Sequence, residues 1–204
     1  MLTVSDVYTL PDLLARAVNK HPDSDIVVFP ESKTTFAQLY ERATNAARSL
    51  KAIGINDGDS VGILMSNCIE FVDLLLGSQL IGAIPVPINA RYKAKELAYV
   101  IDDAGLKVLA TTDRIVEHVD FVELLQEAFP NLENQTDPMQ LQLPEARNLN
   151  SIILFGERMP VGMLDTETFE TLSENIEVEE IEISRSRLQV RDIAMMMYTS
   201  GTTG

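Results

Sequence analysis

With 204 residues, 46% of them hydrophobic, the chain is long enough for one sizeable core or about one and a half domains, and its composition is not that of a disordered protein. A formal net charge of −15 argues against nucleic acid or an anionic membrane surface as a partner, since both call for basic patches. The same charge leaves polyphosphate ligands open, because backbone dipoles and a bound Mg²⁺ neutralise phosphates locally. Cys68 is the single cysteine and cannot form an intramolecular disulfide; in its apolar setting it reads as a small buried hydrophobe of a reducing compartment. Residues 1–20 contain no cationic stretch leading into an apolar core, and no apolar run approaches the roughly 20 residues of a membrane helix. A soluble, cytoplasmic protein without a transmembrane segment is expected.

Leu10, Leu13, Leu14, Ala17 and Val18 recur at helical spacing behind Thr9 and Pro11, good first-turn residues, and His21-Pro22 ends that helix. Residues 26–29 read as a strand, 30–33 as a turn and Thr34 as part of a short return strand. Thr35 with Gln38 is a capping-box signal for a helix over 36–53, closed by Gly54. After the turn at Asn56-Asp57-Gly58, residues 60–65 form a compact apolar strand. Asn67 is the expected cap of the next helix, with Glu70 at its third position and Gly82 beyond its end. Its turn carries no glycine-rich fingerprint, so no ligand is placed there.

Pro85 and Pro87 remove two ladder donors from the extended stretch 83–88, which is therefore expected at a sheet edge or as a polyproline-like segment. A helix follows over 96–101, ending near Gly105, with Arg91 a surface or capping residue. A strand over 107–111 and a helix over 115–129, stopped by Pro130, come next. His118 lies within that helix and lacks a second ligand at metal spacing; His21 reads as a helix-terminus residue. Residues 131–150, rich in Asn and Gln and broken by Pro138 and Pro144, read as a loop or loose excursion, and 151–156 as a buried strand. The glutamates from Glu167 to Glu182 lack the alternating ligands and central glycine of a calcium loop and read as a solvated acidic face. Ile176, Val178, Ile181 and Ile183 alternate with a slip, which predicts an exposed, bulged strand. Ile193 opens a final strand through Met195-Met196-Met197.

That strand runs into Tyr198-Thr199-Ser200-Gly201-Thr202-Thr203-Gly204. Glycines allow positive φ and bring successive N–H groups near an anion, while the hydroxyls donate further hydrogen bonds to phosphate oxygens. The Walker spacing is absent, and Gly201-x-x-Gly204 alone is weak. Apolar strands alternating with helix-length amphipathic segments imply an α/β fold, a mostly parallel sheet flanked by helices, and such sheets bind ligands at the carboxyl ends of their strands, where this loop would emerge.

The full string resembles the phosphate-loop signature of the AMP-forming adenylating enzymes: acyl-CoA synthetases, luciferases and peptide-synthetase adenylation domains. In that family the signature continues with one variable residue and then Pro-Lys-Gly, a continuation this chain does not contain. The alternative is a plain polar turn, and seven ordered matches weigh against it. The opening hairpin feeding a helix also resembles this family, and residues 85–91 with Lys95-Glu96-Leu97 resemble a second stretch recurrent in acyl-CoA synthetases.

The resemblance implies that residues 1–204 are the incomplete front part of the family's large N-terminal AMP-binding domain, without its C-terminal domain. It carries over Thr199, Ser200, Gly201, Thr202, Thr203 and Gly204 as ligands of the ATP β- and γ-phosphates; no catalytic residue and no metal ligand is assigned. The implied parent is an ATP-dependent acyl-CoA synthetase using ATP, Mg²⁺ and coenzyme A, with a carboxylic acid, a fatty acid in the leading reading, as its small-molecule partner. The acid is activated as an acyl-adenylate with release of pyrophosphate and then passed to the thiol. The fragment by itself is expected to be inactive and prone to association. The alternatives are a non-catalytic nucleotide-binding or interaction module, a peptide-synthetase adenylation domain, or a luciferase-like enzyme.

Overall fold

The structure, a computed structural model, describes residues 9–114 and 119–199. In chain order the first elements are α1 (Leu10–Lys20), β1 (Asp25–Phe29), β2 (Ser32–Thr35), α2 (Phe36–Ala52), β3 (Ser60–Leu64), α3 (Ile69–Leu80), β4 (Ile84–Pro87) and α4 (Ala94–Asp103). They are followed by β5 (Leu106–Thr112), α5 (Phe121–Ala128), β6 (Ser151–Phe155), β7 (Leu164–Asp165), α6 (Thr166–Thr171) and α7 (Val178–Arg187). These elements divide into two compact units, one formed, among the described residues, by 9–58 with 68–83 and 170–194, the other by 59–67, 84–114, 119–169 and 195–199.

The first unit is helical around an antiparallel β1–β2 hairpin. Thr9 caps α1 by accepting the Asp12 N–H at 3.2 Å, and the His21 N–H closes the helix on the Ala17 carbonyl at 2.8 Å. The capping box of α2 is complete: the Gln38 N–H donates to Thr35 Oγ1 at 3.3 Å and the Thr35 N–H to Gln38 Oε1 at 3.0 Å. Gly54, at φ +91°, then turns the chain away, a conformation that side chains disfavour. Helices α2 and α3 meet closely because Gly77 faces Ala43, Ala46 and Ala47; a Cβ on Gly77 would lie 2.9 Å from the Ala43 carbonyl oxygen.

Two expectations fail in this unit. The N-cap of α3 is Cys68, with no side-chain cap bond, and not Asn67, so the helix begins one position later than the Asn67–Glu70 spacing requires. In place of the expected bulged strand around Ile176 to Ile183 stands helix α7, with a 3-10 turn, Leu172–Asn175, ahead of it. Glu179 and Glu180 in the first turn of α7 and Arg185 and Arg187 in its last turn match the helix dipole, and of its apolar residues only Ile181 is buried. Charge at the two ends therefore outweighs the apolar alternation. The glutamates are mostly exposed, as expected for a solvated face, except that the half-buried Glu182 accepts the Tyr40 phenol and the Arg185 guanidinium.

The second unit holds a five-stranded, wholly parallel sheet in the order β4-β3-β5-β6-β7. Every residue of β3 and β6 is buried, the mark of a sheet covered on both faces. Leu97 and Ile101 of α4 and Phe121, Val122 and Leu125 of α5 join Leu106, Leu109, Ile152 and Leu154 in its core. Residues 131–150 are less loose than their composition suggests: Leu132, Leu141, Leu143, Ala146 and Leu149 are buried in the same cluster. Helix α5 is shorter than expected. Asp120 starts it by accepting the Val122 and Glu123 N–H groups at 2.9 and 3.2 Å, so the apolar pattern ahead of it is not helical at Val119. His118 lies outside the described residues.

Strand β4 sits at the sheet edge, as its prolines require, and its hydrogen bonding shows how it can be a strand at all. The Ile84 and Ile88 N–H groups donate inward to the Asp59 and Ile63 carbonyls at 2.8 and 2.9 Å. Strand alternation then points the nitrogens of Pro85 and Pro87 outward, where no ladder needs them. The final strand expected from Ile193 does not form: residues 193–199 have no regular structure. One backbone bond, from the Met196 N–H to the Pro85 carbonyl at 3.1 Å, ties this segment to β4. The outer rim of β4 offers acceptors but, at its prolines, no donors, so a full ladder has nothing to form with.

Candidate phosphate-binding site

Of the six residues expected to hold phosphate, the structure places Thr199; Ser200, Gly201, Thr202, Thr203 and Gly204 lie outside the described residues. Two contacts within the second unit fix where Thr199 stands. Upstream is the Met196 bond to β4. Next to Thr199 itself, the Tyr198 phenol donates to the Asp103 carboxylate at 2.6 Å, while the Tyr99 phenol approaches the other oxygen of the same carboxylate at 3.3 Å. The side chains of Met196 and Tyr198 pack, partly buried, against the core cluster.

Thr199 is exposed and, with Tyr92, Lys95, Glu96, Tyr99, Val100 and Tyr198, lines an open hollow of about 380 Å³. Tyr92 belongs to the connection leaving β4, and Lys95 and Glu96 to the first turn of α4. The hollow thus reaches the side of the sheet at which β4 ends, where parallel sheets present ligands. Glu96 is engaged locally, accepting the Lys93 N–H at 2.8 Å. Burial first, and then the hydrogen bond to Asp103, push the Tyr198 phenol above its ordinary pKa, so it is a donor at neutral pH.

Farther along the sheet the carboxyl ends of β5 and β6 are closed by an anion of the protein's own. Asp113 accepts the Glu157 and Arg158 N–H groups at 2.7 and 2.9 Å, occupying donors that a phosphate would otherwise use. Arg91 is exposed, and its N–H donates to Asn89 Oδ1 at 3.0 Å, in keeping with a surface turn. Cys68 is buried, as expected of a small hydrophobe. Among the described residues no group of three or more His, Cys, Asp or Glu could hold a metal ion, and no helix is long and apolar enough to cross a membrane.

Lys95, Tyr99 and Asp103 were not singled out as site residues by the sequence, although their four-residue spacing puts them on one face of α4. What no local pattern carries is the pairing of Asp103 with Tyr198, 95 positions away.

The fold is that of an α/β protein with a parallel sheet, and comparison with known proteins gives its class. Residues 14–204 match the model of the AMP-binding enzyme family, and the chain belongs to that family. Over 96% of its length it is 31% identical to YngI of Bacillus subtilis (strain 168), which carries an acyl-CoA synthetase name, covering 36% of that protein. It is 27% identical to the human mitochondrial medium-chain acyl-CoA ligase ACSF2, over 96% of this chain and 32% of that one. The crystal structure of the anthranilate CoA ligase AuaEII in complex with anthranoyl-AMP superposes on all of this chain and 35% of that one, with a TM-score of 0.74 at 26% identity. The chain therefore spans about a third of the length of the curated relatives it matches.

Proposed function

We propose that these residues are the front part of the AMP-binding domain of an ATP-dependent acyl-CoA synthetase, and that Thr199 to Gly204 hold the β- and γ-phosphates of ATP. The observation that carries this reading is the Tyr198-Thr199-Ser200-Gly201-Thr202-Thr203-Gly204 string at the end of a family match covering residues 14–204. The placement of Thr199 supports it: Thr199 and Lys95 line one hollow on the side where β4 ends, and a hydroxyl donor and a cation are residue types suited to a polyphosphate. Mg²⁺ enters this scheme carried by the phosphates, whose charge it neutralises when bound.

The reaction is attack of a carboxylate on the α-phosphate, giving an acyl-adenylate and pyrophosphate, followed by attack of the coenzyme A thiol on the acyl carbonyl, which breaks the acyl–phosphate bond and releases AMP. The part of this chain is to bind and orient the departing pyrophosphate through loop N–H groups and hydroxyls. The acid is a fatty acid and the compartment the cytoplasm in this reading; the chain alone, one incomplete domain, performs no turnover. The test is carboxylic-acid-dependent exchange of pyrophosphate into ATP by a protein that contains this chain together with the lengths its relatives add. Exchange with medium- or long-chain acids is the expected result. No exchange with any acid tried, with Mg·ATP still bound, would favour a non-catalytic nucleotide-binding module instead.

A further inference from the structure

We infer that Asp103 is a positioning residue for Thr199: by accepting the Tyr198 phenol it fixes the point at which Thr199 leaves the sheet edge. The inference rests on the reading of Thr199 to Gly204 as the ATP site, but its geometry stands by itself. Asp103 is the last residue of α4, a helix held down by the buried Leu97, Val100 and Ile101. Tyr99, one turn earlier on the same face, directs its hydroxyl to the second carboxylate oxygen at 3.3 Å, which restrains the rotation of the acid. The remaining oxygen receives Tyr198 at 2.6 Å, a length typical of a charge-assisted bond.

The segment before the loop lacks a strand's continuous ladder, so its position must come from separate points of attachment. From residue 195 on, two hydrogen bonds among the described residues supply them: the Met196 N–H on Pro85 and the Tyr198 phenol on Asp103. The first leaves rotation about the following bonds free. The second removes it immediately before Thr199. Because the Asp103 bond is exposed, its worth lies in orientation more than in global stability.

The experiment uses the full chain and its Asp103→Ala, Asp103→Asn and Tyr198→Phe variants, first without nucleotide. Amide hydrogen exchange at Thr199 is expected to accelerate on the order of ten-fold in Asp103→Ala and Tyr198→Phe, with the thermal midpoint and the α4 amides unchanged. Asp103→Asn, whose amide oxygen can still accept one phenol, is expected to restore most of the protection. In Asp103→Ala one tyrosine should also titrate at lower pH in ultraviolet absorbance than in the unaltered chain. Unchanged exchange at Thr199 in both Asp103→Ala and Tyr198→Phe overturns the inference, as does acceleration spread equally over α4. The ATP reading fails in a different measurement: Mg·ATP leaving the Thr199 amide of the unaltered chain unaffected. If ATP does bind, Asp103→Ala should weaken it several-fold, with Asp103→Asn intermediate.

Discussion

Asp73 lies in α3 with its side chain almost wholly buried and makes a 2.6 Å ion pair with Arg42, yet its carboxyl is pushed up to about 6. Burial is the largest cause and exceeds the downward pull of Arg42, while Glu70 and Glu170 add like charge. One carboxylate oxygen, Oδ1, has no hydrogen-bond partner. The sign follows from proton linkage: between the ordinary value of 3.8 and about 6 the folded chain binds more proton than the unfolded one. The contribution is fully present below that window and lost as pH rises through about 6, on the order of 3 kcal/mol for a shift of about two pH units. Urea titrations at pH 4.5 and 7.5, which span most of the window, should show about 2 kcal/mol of this loss, and Asp73→Asn should largely abolish the difference. A difference in Asp73→Asn as large as in the unaltered chain would assign the pH dependence to other groups.

Among the elements, the α2–α3 contact depends on the absence of one side chain. Gly77→Ala would put a methyl 2.9 Å from the Ala43 carbonyl oxygen and 3.0 Å from Ala46 Cβ, so the helices must move apart. Despite the helix propensity gained, a net loss of about 1–3 kcal/mol is expected in denaturant unfolding, the usual cost of overpacking. A stabilised Gly77→Ala would mean the helices separate freely. Local signals of this kind carried most of the elements. Thr35 with Gln38 and Gly54 bounded α2 because caps act within a few residues, and two prolines placed β4 at an edge because their missing donors are intrinsic. The alternation at Ile176, Val178, Ile181 and Ile183 misled because periodicity outside a core is a weak force beside end charges. Likewise Thr199 was marked by its motif, whereas Asp103 owes its place to a partner brought near only by the fold.

At the scale of the molecule, apolar side chains remain uncovered near the end of the described chain: Val190, Ile193, Met195 and Met197 are all exposed. Association at micromolar concentration is expected, driven by side chains. Sedimentation across a dilution series should show it, and replacing Met197 and Val190 together by glutamine should reduce it. A monomer at all concentrations, melting sharply, would contradict the expectation.

The outer rim of β4 bears on what kind of assembly that can be. A strand arriving there meets carbonyls that can receive it, but at Pro85 and Pro87 nothing that gives in return. It can be held, as Met196 is, and yet cannot serve as the template for another copy of itself. Self-pairing comes to a halt at this edge. Clusters of this chain should therefore dissolve on dilution, and a fibril seeded from β4 should not grow.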